Sequence, residues 1–243
     1  MIEANAVGFY FIRLELFRGI FFGWPLGQVT GKIGAMKHAI LIFSLLTLLG
    51  CGKGGEDPDA SVMNLFDAAK PADQKILAQL RIAVRKPVGD LTRGDLDKVK
   101  VLKVRESEIA DLSLFVELRN LEELDLHKNK ITDLKPLVKL PNLKKLRVSF
   151  NQISDLSPLP EMKALRELKI YNNQVSDLKP LSEMPDLKMV WLMNNNISDV
   201  KPLYGLKGLA EVHLNGNKGL NKPKIHELYI ALPKCKVVHD IKR

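Results

Sequence analysis

Leu121-Glu122-Glu123-Leu124-Asp125-Leu126-His127-Lys128-Asn129-Lys130-Ile131-Thr132-Asp133-Leu134-Lys135-Pro136-Leu137 decides the fold, because its pattern starts again at Leu143, Leu165, Leu187 and Leu209. The interval is 22 residues, and Ser107, Asn129, Asn151, Asn173, Asn195 and Asn217 mark it. A single unit this short cannot bury its own apolar side, so units must stack, and a stack of units is a solenoid. Within each unit the apolar residues alternate, at Leu124 and Leu126, Leu146 and Val148, Leu168 and Ile170, Val190 and Leu192, and Val212 and Leu214. Period-two alternation predicts one short strand per unit, and stacked units predict a parallel sheet. The asparagine falls where the chain leaves the strand, and its amide can both donate to and accept from backbone groups inside the coil. Asn129, Asn151, Asn173, Asn195 and Asn217 are therefore expected to form a structural ladder.

After each asparagine comes Asp-Leu-x-Pro-Leu, seen at Asp133 to Leu137, Asp155 to Leu159 and Asp177 to Leu181, with Val200 replacing the first leucine at Asp199 to Leu203. Aspartate accepts the free amides that open a helical turn, and proline fixes φ while bringing no donor. So few residues leave room only for a 3₁₀-type turn on the convex side. The unit resembles the 22-residue repeats of the internalins, of protein phosphatase 1 regulatory subunits and of bacterial leucine-rich-repeat lipoproteins. The resemblance covers residues 96–217 and implies an α/β leucine-rich-repeat solenoid with a concave parallel sheet. It implies a non-enzymatic binding surface, although proteins of this fold bind many unrelated partners. The first unit departs from the pattern, with Ser107 for asparagine and no proline in Asp111-Leu112-Ser113-Leu114-Phe115.

An open stack needs covered ends. Upstream, Ile76, Leu77, Leu80 and Val84 have helical spacing, and residues 72–95 are expected to form a helical N-terminal cap. Residues 218–243 are expected to form the C-terminal cap, with an amphipathic helix over 223–232 followed by a short strand over 232–238.

At the front, Met36-Lys37-His38 precedes an apolar run from Ala39 to Leu49, then Gly50-Cys51-Gly52-Lys53. A charged start, an apolar stretch short for a bilayer and a small residue before the break are the parts of a secretory signal. Leu48-Leu49-Gly50-Cys51 resembles a lipoprotein signal motif, which implies cleavage after residues 36–50 and lipidation of Cys51. The expected location is the cell envelope, at the outer membrane or the periplasmic face. The alternative is an uncleaved anchor ending at Cys51. Residues 51–71 read as a flexible polar tether, and residues 1–35 as an extension upstream of a start at Met36.

The formal net charge is +9. The basic excess lies at the two caps and forms no stripe interleaved with aromatics, so no nucleic-acid partner is expected. Cys235 has no disulfide partner if Cys51 is lipidated, and it reads as a buried terminal-strand residue. His127 and His213 lie four rungs apart, about 19 Å at ~4.8 Å per strand, too far to share a metal ion. No cofactor and no metal site are expected, and no stretch outside the repeats can hold a catalytic domain.

The residues between the inward leucines must line the concave face. Its lower rungs carry mixed charge, from Lys103 and Arg105 through Asp125 and His127, and its upper rungs turn aromatic. Trp191, Tyr171, Phe150, Met189, Met193, Arg147, Lys169 and His213 are the expected ligand-binding residues, since an aromatic cluster rimmed by charge is the usual composition of a binding hot spot. The bland alternative is that Phe150 tucks into the loop edge and the methionines merely cover Trp191. The expected partner of a monomer of this kind is a protein or peptide. The rivals are a cytoplasmic regulatory scaffold of the phosphatase-subunit type and a structural envelope protein.

Overall fold

The computed structural model describes residues 57–241. Seven short strands run through it: β1 (Val101–Lys103), β2 (Glu123–Asp125), β3 (Lys145–Arg147), β4 (Glu167–Lys169), β5 (Met189–Trp191), β6 (Glu211–His213) and β7 (Lys236–Val238). They form one parallel sheet in sequence order. Leu102 pairs with Leu124, Leu124 with Leu146, Leu146 with Leu168, Leu168 with Val190 and Val190 with Val212. The last step pairs Val212 with Val237, where the helix of the C-terminal cap replaces a repeat. Because register is kept rung by rung, each inward apolar residue sits on the one below it, and the core is a stack of identical layers.

The convex side is made of 3₁₀ turns at Ser113–Glu117, Lys135–Lys139, Leu159–Glu161, Lys179–Glu183 and Lys201–Leu203. Proline stands in the first turn of the last four. The aspartate before each turn accepts a backbone N–H two residues on, as Asp133 Oδ1 does from Lys135 at 2.8 Å and Asp177 Oδ1 from Lys179 at 2.8 Å. The proline-free first turn is opened the same way, by Asp111 on Ser113.

The asparagines form a ladder, buried at Asn129, Asn151, Asn195 and Asn217 and half-buried at Asn173, which makes the same bonds. Asn151 Oδ1 accepts the N–H of Ile131 at 3.0 Å, and its Nδ2 donates to the carbonyls of Leu126 and Val148 at 3.1 and 2.9 Å. Asn129, Asn195 and Asn217 do the same on their own rungs. Ser107, in place of an asparagine, gives its N–H to Asn129 Oδ1 and turns its hydroxyl back to Arg105 O. Each ladder residue follows one in the left-handed region: Glu106, Lys128, Phe150, Asn172 and Asn194 at φ 50–58°, and Gly216 at 72°. This bend lets the chain leave the strand while the asparagine points inward.

The N-terminal cap holds α1 (Pro71–Val84) and α2 (Arg93–Leu96). Ile76 and Leu80 of α1 are buried, and Leu77 and Val84 pack partly against the core. A capping box opens α2: Asp95 N–H donates to Thr92 Oγ1, and Thr92 N–H to Asp95 Oδ2. Asp95 also takes Lys86 at 2.8 Å and Lys98 at 3.1 Å, and chiefly through Lys86 its carboxyl is held well below the usual carboxylate range.

The folded cap begins earlier than residue 72, inside the stretch expected to be a flexible tether. Val62 is 4% exposed, its N–H donates to Leu91 O, and Ser61 bridges Thr92. The physical reason is that Val62, Met63, Leu65 and Phe66 offer the cap an apolar lid, a pattern too short to show as periodicity.

At the other end, α3 (Lys222–Ala231) is capped by Asn221 and buries Ile225 and Leu228. Cys235 is buried and forms no disulfide among the described residues, and burial pushes its thiol up. The expected signal sequence over residues 36–50, Cys51 and residues 1–35 lie outside the described residues. Among the described residues no helix is long and apolar enough to cross a membrane.

Candidate functional site on the concave sheet

Three columns run up the concave face. The first is Val101, Glu123, Lys145, Glu167, Met189, Glu211 and Lys236, and the second is Lys103, Asp125, Arg147, Lys169, Trp191, His213 and Val238. The third, one step beyond the strand ends, is Arg105, His127, Ser149, Tyr171 and Met193. In the first column opposite charges neutralise one another: Lys145 holds Glu123 at 2.7 Å, and Lys236 holds Glu211 at 2.9 Å. His213 Nε2 lies 2.6 Å from Glu211 Oε1, and His213 and Lys236 together keep the Glu211 carboxyl below its ordinary value.

Asp125 is the unusual residue of the second column. It is 2% exposed, although its position faces solvent on neighbouring rungs. Arg105 Nε reaches its Oδ2 at 2.9 Å, Arg147 approaches to 3.7 Å, and the N–H of His127 donates to its Oδ1. The two guanidinium groups fold over the carboxylate and bury it. Asp125, in turn, raises the Arg105 guanidinium above its ordinary value.

Above this pair, five rings climb the sheet. His127 meets Phe150 edge-on at 5.0 Å, Phe150 meets Tyr171 at 5.5 Å, Tyr171 tilts toward Trp191 at 6.3 Å, and Trp191 lies against His213 at 4.8 Å. Such offset and edge-on contacts place positive ring edges against negative faces. Lys169 Nζ sits 3.4 Å from the centre of the Trp191 ring, in cation–π geometry. Burial, and then the charge of Arg147, push the Lys169 ammonium down.

The rings and cations enclose a cavity of about 320 Å³ lined by Arg105, Asp125, His127, Arg147, Ser149, Lys169, Tyr171 and Trp191. Ser149 makes the room. It is the smallest side chain of its column, set between His127 and Tyr171, and is 1% exposed. Its Oγ and Trp191 Nε1 are buried with no hydrogen-bond partner among the described residues.

The structure thus gathers Trp191, Tyr171, Arg147 and Lys169 around one cavity and seats His213 beside Trp191. Phe150 stands at the rim, 45% exposed and in contact with two rings, held there by its left-handed backbone. Met189 and Met193 are half-buried and do not line the cavity. Trp191 is also only half-exposed, because Lys169 and His213 cover its faces; the upper rungs are not a bare apolar patch. Sequence reasoning ranked the aromatics and left Asp125, Ser149, Arg105 and His127 out of the site. The available signal was Asp125 itself, the one acidic residue in a column that also carries Lys103, Arg147 and Lys169. Among the described residues no group of three or more His, Cys, Asp or Glu is placed to hold a metal ion.

The family model for leucine-rich repeats in two copies matches residues 119–161, 141–183 and 163–205. Among solved structures, an internalin (inlF) from Listeria monocytogenes is 25% identical with a TM-score of 0.57, over 73% of this chain and 62% of that one. The chain therefore spans less than two thirds of that internalin. Internalin C2 (inlC2) from the same organism is 23% identical with a TM-score of 0.60, over 78% of this chain and 93% of that one. A comparison with curated proteins gave no match. The fold is the leucine-rich-repeat solenoid, with internalin-like neighbours.

Proposed function

We propose that this leucine-rich-repeat protein is a non-enzymatic binding module that holds a protein or peptide on its concave face, tethered to a bacterial cell envelope by lipid on Cys51. Proteins of this fold generally act through protein–protein contact, which makes a binding role the starting point. The observation that carries the siting is the concave cavity between the Asp125 ion cluster and the ring stack, where two buried polar atoms lack hydrogen-bond partners among the described residues. Unsatisfied buried polar groups are costly and rare, so two at one cavity call for a partner that supplies their hydrogen bonds. The envelope location is supported by the sequence from Met36 to Cys51, with its charged start, apolar run and terminal Gly-Cys.

Two measurements test this. Intact mass and membrane fractionation of the protein from its host should give a membrane-bound chain starting at acylated Cys51. A soluble unmodified chain would overturn the anchor and favour a cytoplasmic scaffold. A photo-reactive amino acid at Met193 should crosslink a partner polypeptide, and Trp191→Ala with Tyr171→Ala should abolish that product without altering the unfolding midpoint. Undiminished crosslinking in the double variant would remove the concave face from consideration.

A further inference from the structure

The concave cavity is short of negative charge and of acceptors. Asp125 is the carboxylate among its lining residues, and its oxygens are already engaged by Arg105, Arg147 and the N–H of His127. Two neighbouring carboxylates are committed elsewhere, Glu123 to Lys145 and Glu211 to His213 and Lys236. Glu167 acts on Lys169 through space only. Against one engaged carboxylate stand three cations, of which Lys169 makes no ion pair and no hydrogen bond among the described residues. Its ammonium rests on the Trp191 ring, partly desolvated.

The neutral donors point the same way. Trp191 Nε1 can only donate, and Ser149 Oγ has a proton with no acceptor; both residues line the cavity. An incoming group that is negatively charged, rich in acceptor oxygens and small enough for the cavity would satisfy all of these at once. The flanking faces of Tyr171 and Trp191 supply an apolar wall for the carbon atoms that carry it.

We propose that this cavity binds a carboxylate carried by a peptide, either an Asp or Glu side chain or a chain terminus, with Lys169 and Arg147 meeting its charge and Ser149 and Trp191 donating hydrogen bonds. The proposal rests on the concave-face reading above and names what that face recognises. A carboxylate is favoured over a larger oxyanion because Arg105 and Arg147 are already engaged by Asp125, which leaves Lys169 as the cation with no ion pair among the described residues, one positive charge to meet one negative charge.

The test uses the full chain and the indole N–H signals of its two tryptophans in proton–nitrogen NMR spectra, with Trp191 assigned through Trp191→Phe. Three probes are titrated: acetyl-Ala-Ala-Phe with a free carboxylate, the same peptide as an amide, and acetyl-Ala-Glu-Phe amide. The Trp191 indole proton should move downfield and saturate with a carboxylate-bearing peptide and stay still with the plain amide. Saturation by the free terminus alone assigns a chain end, and saturation by the glutamate peptide assigns an acidic side chain. Lys169→Met should raise the dissociation constant about tenfold or more, as expected for losing a charge-assisted contact, with the urea midpoint unchanged. Equal binding of amide and acid, unchanged binding by Lys169→Met, or saturation by inorganic phosphate at lower concentration than either acid would overturn the proposal. A crosslinked partner that a saturating acid peptide cannot displace would also overturn it and leave the concave-face reading standing. Peptide saturation without any crosslinked partner would remove that reading and keep the carboxylate site.

Discussion

Replacing Asn151 by alanine should cost the domain about 3 kcal/mol, and the ladder geometry says where the loss arises. Asn151 Nδ2 donates to the carbonyls of Leu126, Val148 and, at 3.3 Å, Ser149. All three carbonyls keep a donor when it goes, since Leu126 O also accepts from Asn129 Nδ2, Val148 O from Asn173 Nδ2 and Ser149 O from the N–H of Lys128. The N–H of Ile131 has no such reserve: its acceptor is Asn151 Oδ1, and Ile131 is fully buried. An orphaned buried donor costs about 1–3 kcal/mol, and the weakened carbonyls and the space left behind bring the total to about 3 kcal/mol. At about 2–4 °C per kcal/mol for a domain of this size, the melting midpoint should fall by about 6–12 °C. Urea unfolding followed by circular dichroism measures it, with exposed Gln152→Ala as the reference. Asn151→Asp sharpens the test. A carboxyl facing carbonyls is driven toward its protonated, donating form, which raises its folded pKa. Its stability is then retained below the unfolded value near 4 and lost as pH rises through the folded one. A loss below about 1 kcal/mol in Asn151→Ala, no larger than in Gln152→Ala, would refute the ladder as a source of stability.

Three further outcomes are expected. Gly216 has φ 72°, and a Cβ there would fall 1.9 Å from Asn194 Oδ1, so Gly216→Ala should destabilise by about 1–2 kcal/mol in thermal unfolding; an unchanged midpoint would show that the bend relaxes. Lys128, in the corresponding left-handed position, carries a Cβ already, and Lys128→Gly should shift the midpoint by less than about 1 kcal/mol in either direction. Asp95 is depressed in the folded state, so its contribution is full at neutral pH and is lost as pH falls below about 4, the ordinary value, toward the folded one. Unfolding midpoints between about pH 5 and 2 should therefore drop less steeply in Asp95→Asn than in the parent chain, and parallel slopes would show that Lys86 and Lys98 contribute nothing to the cap.

The solenoid was legible because every layer repeats the same constraints. Leu124 and Leu126 must point inward, Asp133 must open a turn, and Asn129 must satisfy the backbone where the strand ends. Each of these leaves a residue type at a fixed place. What escaped notice was local and aperiodic. Val62 packs on the cap through one buried side chain and one backbone bond to Leu91, with no pattern to announce it. The left-handed residues were equally silent, since Glu106, Lys128, Phe150 and Asn172 share a backbone state and no side-chain chemistry.

The concave face obeys a different logic. Its side chains bear no load in the core, so the repeat leaves their identity open, and a site must be read across rungs instead of along the chain. Column order supplies that reading: Asp125 stands between Lys103 and Arg147, and Ser149 between His127 and Tyr171. The first juxtaposition sinks a carboxylate beneath two guanidinium groups, one from its own column and one from the next. The second opens space beside the continuous stack of rings, because a hydroxymethyl group cannot fill the volume a ring would take. Neither residue is unusual by itself, and either could stand on a solvated surface without consequence. Stacked at about 4.8 Å, the two exceptions adjoin, and their meeting produces a cavity with excess positive charge, two idle donors and aromatic walls. The regular repeat makes this possible, since a rigid register is what brings residues 22 positions apart into contact.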